Sequence, residues 1–150
     1  MRRALKAILA ASFLTSSWSG VALAGGASAC AIVEGHRTRC FPTVADMERW
    51  VAFPGRVAPT INCSTPLKLH DSPSQLGAVV SIYARGSWVD LSSFSFDNKT
   101  SSYTVGACAI ELAAQNGGSG NHYTRCLSSG CVENTMLSGW DNVVSSVYLH

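Results

Sequence analysis

Residues 97–102 read DNKTSS, and residues 141–146 read DNVVSS. Each hexapeptide gathers a carboxylate (Asp97, Asp141), a carboxamide (Asn98, Asn142) and hydroxyls (Ser101, Ser102; Ser145, Ser146). An aromatic residue precedes each, Phe96 and Trp140. Hard cations such as calcium take carboxylate, carboxamide, hydroxyl and backbone carbonyl oxygens, about six to eight in all. One hexapeptide cannot fill that shell, but two copies brought together can fill two. Asp97 and Asp141 are the only carboxylates in the pair. So low a ligand charge implies weak binding, on the order of micromolar to millimolar, suited to the outside of a cell. A single Asp-Asn followed by Ser-Ser is also ordinary turn composition. Two copies in register within a longer repeat point beyond turns to a site.

That repeat sets the elements around the hexapeptides. Cys63 aligns with Cys108, Gly77 with Gly120 and Asp97 with Asp141, at offsets of 45, 43 and 44 residues. A cysteine leads into a strand in each copy, CSTPLKL and CAIEL, and SSYTV follows the first hexapeptide as SSVYL follows the second. AVVSIYA, SYTV, CAIEL and VVSSVYLH are rich in β-branched and aromatic residues, with Gly, Ser, Asn and Asp between them. Many short strands with such turns indicate an all-β sandwich or barrel. Two copies are too few for a solenoid, so they are read as halves of one pseudo-symmetric domain. Ahead of them, Thr43 and Asp46 fit a capping pattern, and Val44, Met47 and Val51 recur at helical spacing, which predicts a short helix over 43–52. Pro54 and Gly55 end it, and the stretch to Asn62 reads as a linker.

The pattern Asn/Asp-Asn/Asp-x-x-Ser/Thr-Ser, twice in a β domain of this size, resembles the βγ-crystallin superfamily and in particular its microbial calcium-binding members. The resemblance covers roughly 63–150. It implies a Greek-key sandwich of two motifs, 63–107 and 108–150, behind an N-terminal extension over 30–62 that contains the helix. It also implies up to two weak calcium sites shared between the motifs. In such sites the second hexapeptide position gives a side-chain oxygen, the third a backbone carbonyl and the fifth the hydroxyl of the opposite site. Carried over, these are Asn98, Lys99 and Ser101, and Asn142, Val143 and Ser145, with Asp97 and Asp141 orienting the loops. Ser102 and Ser146 would tie down a folded hairpin. That hairpin keeps its glycines, Gly77 and Gly120, but not the aromatics of the family signature; His70, Gln75, Ala113 and Gly118 stand in their places.

The chain opens with Arg2, Arg3 and Lys6, then an uncharged apolar segment, then Ala22-Leu23-Ala24. This reads as a secretory signal peptide over 1–24, with a later cleavage option at residue 29. The competing anchor helix would have to use a short stretch diluted by Ser, Thr and Gly. Three of the 11 basic residues lie in the leader and all 9 acidic ones follow it, so the remainder carries a formal charge of −1. No basic patch suited to nucleic acid or an anionic membrane is left. The six cysteines, Cys30, Cys40, Cys63, Cys108, Cys126 and Cys131, all follow the leader and read as three disulfides of an extracellular protein. A zinc site competes poorly, for want of a CxxC pair, and lipidation at Cys30 would strand an odd thiol. Cys63 and Cys108 open equivalent strands, which favours a bridge between them. CLSSGC would then close a tight loop, leaving Cys30 for Cys40.

No GxSxG or HExxH is present, and His36, His70, His122 and His150 are scattered through loops and the end of the chain, so the sequence predicts no enzyme. The alternative to a calcium-binding protein is a secreted metalloproteinase inhibitor, or a small antimicrobial or cell-wall-binding protein, on the same fold. It would meet a protease through CLSSGC or the Cys30–Cys40 loop, or a cell-wall glycan through Trp88 or Trp50.

Overall fold

The computed structural model describes residues 29–33, 37–53 and 62–150. The leader over 1–24, His36 and most of the linker ahead of Asn62 lie outside the described residues. The elements are β1 (Ala29–Val33), β2 (Arg37–Phe41), α1 (Val44–Val51), β3 (Asn62–Ser72), β4 (Leu76–Ala84), β5 (Trp88–Asp90), β6 (Ser102–Thr104), β7 (Ile110–Ala113), β8 (Val132–Glu133) and β9 (Ser146–Leu149). Among the described residues strands dominate, as the β-branched runs predict, with one α-helix. Thr43 caps that helix: its Oγ accepts from the Asp46 N–H at 3.1 Å and donates to the Asp46 carboxylate at 2.7 Å.

A six-stranded sheet runs β2-β1-β4-β3-β6-β8, and a three-stranded sheet runs β5-β9-β7. The two repeats are interleaved rather than side by side. β5 of the first copy pairs with β9 of the second, Val89 opposite Val147, while β8 of the second pairs with β6 of the first, Tyr103 opposite Glu133. Each copy thus lends its third strand to the other's sheet, the arrangement of two Greek keys closed on one core. Leu67, Leu69, Val80, Ile82 and Tyr103 from the larger sheet meet Val89, Ile110, Leu112, Val147 and Leu149 from the smaller one. Phe94 and Phe96, leading into the first hexapeptide, are buried in the same core.

The segment ahead of the repeats is built into the larger sheet. β1 lies parallel to β4, Cys30 opposite Val80, and antiparallel to β2. Because side chains alternate along a strand, Cys30 and Ile32 join the main core. Ala29, Ala31 and Val33 face the other way, against Phe41, Met47, Val79 and Tyr83. That second, smaller core holds α1 to the outer face of the sheet. Disulfides join Cys30 to Cys40, Cys63 to Cys108 and Cys126 to Cys131, the pairing favoured by the repeat. Three disulfides belong to an oxidising setting. Among the described residues no helix is long and apolar enough to cross a membrane.

The copies differ where their composition differs. β4 is a nine-residue strand, but its counterpart in the second copy is a single bridge between Ala113 and His122. That part of the second copy, NGGSGNHY, has too few β-formers to hold a ladder.

Candidate metal centre

The hexapeptides meet through a reciprocal pair of backbone hydrogen bonds. The Asn98 N–H donates to the Val144 carbonyl at 3.0 Å, and the Asn142 N–H donates to the Thr100 carbonyl at 3.0 Å. Asn98 and Asn142 are the second residues of their motifs; Thr100 and Val144 are the fourth. The pseudo-symmetry extends outward: the Ser101 N–H donates to the His70 carbonyl at 2.8 Å and the Ser145 N–H to the Ala113 carbonyl at 2.9 Å. His70 and Ala113 are the positions that the repeat aligns.

The asparagines carry left-handed backbone, φ 54° at Asn98 and 57° at Asn142. Asn tolerates this conformation better than most residues, because its short polar side chain bonds locally. In both copies it does so. Asn98 Nδ2 donates to Asp97 Oδ2 at 3.2 Å, and Asn142 Nδ2 donates to Asp141 Oδ2 at 3.3 Å. Each aspartate therefore orients its neighbour's amide, holding the nitrogen and leaving the carbonyl oxygen available. In the first copy that oxygen, Asn98 Oδ1, accepts from Ser145 Oγ at 3.3 Å. Thus the second position of one motif touches the fifth position of the other. Two oxygens sharing a calcium ion at about 2.3–2.6 Å have comparable spacing. The mirror pair is Asn142 and Ser101; Asn142 is held by the Thr100 carbonyl, one residue before Ser101.

Ser101 and Ser145 are buried, whereas Asn98, Lys99, Asp141 and Asn142 are exposed and Asp97 and Val143 are half-buried. The combination describes a surface loop with a fixed floor. Asp97 Oδ1 and Thr100 Oγ1 are buried without a hydrogen-bond partner. Such orphaned oxygens are costly unless something else meets them. The donor set, dominated by neutral amide, hydroxyl and carbonyl oxygens with two carboxylates, fits a hard cation better than a transition metal. Lys99 and Val143 occupy the third positions, where only the backbone carbonyl is asked for.

The closing serines hold the folded hairpins. Ser102 Oγ donates to the Ser72 carbonyl at 2.6 Å and accepts from the Gln75 N–H at 3.0 Å. Ser146 Oγ donates to the Gln115 carbonyl at 2.6 Å and accepts from the Gly118 N–H at 3.0 Å. Gln75 and Gly118 both take positive φ, at 58° and 77°. At Gly118 a Cβ would overlap the indole of Trp88, so Trp88 packs closely on the hairpin of the other copy. Each serine thus bonds the hairpin of its own copy, while Trp88 crosses to the other; these tertiary contacts are ones that the hexapeptides alone do not announce.

Burial, reinforced by Lys68, lowers the His70 imidazole below its ordinary value, although Asp71 and a bond to the Leu76 backbone oppose the shift. Burial raises Tyr103 well above the usual phenol range, raises Tyr123 as well, and pushes Tyr83 up to about 12. Tyr103 donates to the Arg125 carbonyl at 2.6 Å and Tyr123 to Glu133 at 3.2 Å, as befits neutral phenols in a core.

No family model matches the chain, and no curated protein does. Solved structures similar to it include a βγ-crystallin from Ciona intestinalis, with 21% identity and a TM-score of 0.48 over 56% of this chain and 98% of that one. A mutant βγ-crystallin domain from Clostridium beijerinckii has 16% identity and a TM-score of 0.48 over 58% of this chain and 98% of that one. The N-terminal domain of protein S has 17% identity and a TM-score of 0.47 over 57% and 94%. Over somewhat more than half its length, the chain is similar to βγ-crystallin domains.

Proposed function

We propose that residues 63–150 are a calcium-binding domain of βγ-crystallin type, secreted and disulfide-bonded, whose two sites are shared between the motifs. Asn98, the Lys99 carbonyl and Ser145 would serve one site. Asn142, the Val143 carbonyl and Ser101 would serve the other, with Asp97 and Asp141 orienting the amides. The observation that supports this most is the 3.3 Å contact between Asn98 Oδ1 and Ser145 Oγ, framed by the reciprocal backbone bonds. A bound ion supplies charge neutralisation and a cross-link between the motifs. It stabilises the fold by about 2.7 kcal/mol per site when free calcium is a hundred times its dissociation constant. Calorimetric titration of the disulfide-bonded protein tests the reading: saturable uptake of up to two ions, weakened in Asp97→Ala and Asn98→Gly, supports it. The leader and the three disulfides support export.

One observation favours a second reading, a secreted metalloproteinase inhibitor. The Cys126–Cys131 loop exposes Ser128, Ser129 and Gly130, while the Gly130 N–H bonds to the Val105 and Gly106 carbonyls at 3.1 Å and Ser129 Oγ bonds to the Gly106 carbonyl at 2.8 Å. A rigid exposed loop is what a protease-facing surface needs. Inhibition of a secreted metalloprotease, lost on changing Ser128 and Ser129, would favour this reading.

A further inference from the structure

Among the described residues β2 ends the larger sheet: β1 pairs with one side of it, and no described strand pairs with the other. A sheet edge presents backbone donors and acceptors to any extended chain that can lie beside it. β2 runs for five residues, of which Arg37, Thr38 and Arg39 are exposed. The Cys30–Cys40 disulfide ties it to β1, so the edge is held in place before anything docks. β8, at the other end of the sheet, is two residues long.

Side chains alternate along a strand, so the two faces of this edge differ. Arg39 lies opposite Ala31, on the face that α1 covers. Its guanidinium packs on the rings of Phe41 and Trp50, 5.5 Å and 5.6 Å from their centroids. Such stacking holds the planar cation and leaves its N–H donors for an anion. The helix carboxylates are engaged elsewhere, Asp46 with Arg49 at 3.2 Å and Glu48 with Lys68 at 3.1 Å. Among the described residues Arg39 has no carboxylate partner. Thr38 and Cys40 face the other way. With Arg39, Ser93 and Phe94 they line a cleft of about 320 Å³, to which Cys40 and Phe94 give an apolar lining.

We propose that β2 is a docking edge for an extended segment of a partner protein in which acidic and apolar residues alternate. The segment's backbone pairs with the edge, its carboxylates meet Arg39, and its apolar side chains enter the cleft beside Phe94. This is strand addition, in which main-chain bonds give affinity and alternate side chains give specificity. Alternation places the two kinds of side chain on opposite faces of the added strand, matching the two faces of β2. The same guanidinium argues against a second copy of the chain here. An antiparallel β2–β2 pair centred on Arg39 sets Arg39 against Arg39, and like charges directly opposite destabilise a sheet. The edge shares no residue with the calcium reading.

An array of acetylated, amidated heptapeptides that alternate Asp or Glu with Val, Ile, Leu or Phe tests the proposal, the binders then being titrated calorimetrically into the disulfide-bonded protein. The expected result is saturable one-to-one binding that weakens at high salt and is absent from matching Lys peptides. Arg39→Gln should weaken it about tenfold or more, with an unchanged melting temperature showing that the variant folds. Arg85→Gln, a change at another exposed arginine, should leave it unaltered. N-methylation of alternate peptide residues should abolish binding in one of its two phases, because one set of N–H groups faces β2. No saturable binding by any acidic peptide would overturn the proposal. So would binding that survives Arg39→Gln, equal binding of the Lys peptides, or tolerance of N-methylation in both phases. A concentration-dependent dimer of the free protein that blocks the peptides would give the edge to a second copy, and would overturn it too.

Discussion

Asn98 Oδ1 and Ser145 Oγ lie 3.3 Å apart, although 47 residues separate them in the chain. The contact joins the second position of one hexapeptide to the fifth position of its repeat. It exists because each copy lends a strand to the other's sheet, which brings the two loops together at one end of the core.

Asn98→Gly should separate the ligand role from the backbone role. Glycine accepts φ 54° without strain but removes the amide. The expected outcome is stability in chelator close to that of the parent, with calcium affinity reduced about tenfold, a loss of about 1.4 kcal/mol. Asn98→Ala adds the cost of holding a Cβ in the left-handed region, about 1–2 kcal/mol. Urea titrations in calcium and in chelator resolve the two terms.

Ser102→Ala should open the first folded hairpin and Ser146→Ala the second. Each serine is fully buried and makes two hydrogen bonds to the folded hairpin of its own copy, so its loss leaves a half-shielded backbone carbonyl and N–H without that partner. Each change is expected to cost about 1–3 kcal/mol, read from chemical denaturation midpoints. The two should be close to additive, because they share no partner.

The disulfides should rank by loop length. Cys63–Cys108 spans 45 residues and its loss should cost about 4 kcal/mol. Cys126–Cys131 spans 5, and its loss should cost about 2 kcal/mol. Paired alanine substitutions compared by denaturation under non-reducing conditions check the order.

His70 makes stability pH-dependent. Burial depresses its folded-state value, so the unfolded chain binds the proton more readily. The stability His70 contributes is therefore present above its ordinary value and is lost as pH falls through the depressed one. Melting temperatures should drop between neutral and mildly acidic pH, and His70→Gln should flatten that drop.

The strand-rich fold, the capped helix and the two oxygen-rich loops were legible because each is written locally: β-branched runs between turn residues, Thr43 three before Asp46, and DNKTSS echoed by DNVVSS. What stayed hidden depends on distant pairing. β5 and β8 are three and two residues long, too short for periodicity to announce, yet their exchange builds the domain. The parallel pairing of β1 with β4 is non-local, and ACAIV alone says nothing of its partner. His122 and His150 read as isolated histidines until the backbone sets them beside Glu111.

The most direct measurement is thermal unfolding of the disulfide-bonded protein in saturating calcium, in magnesium and in chelator. Calcium-filled sites should raise the melting temperature by about 10 °C each over chelator, less in magnesium, with a diminished rise in Asn98→Gly. An identical melting temperature in calcium and in chelator would contradict it, and would leave the hexapeptides as turns that merely hold two Greek keys together.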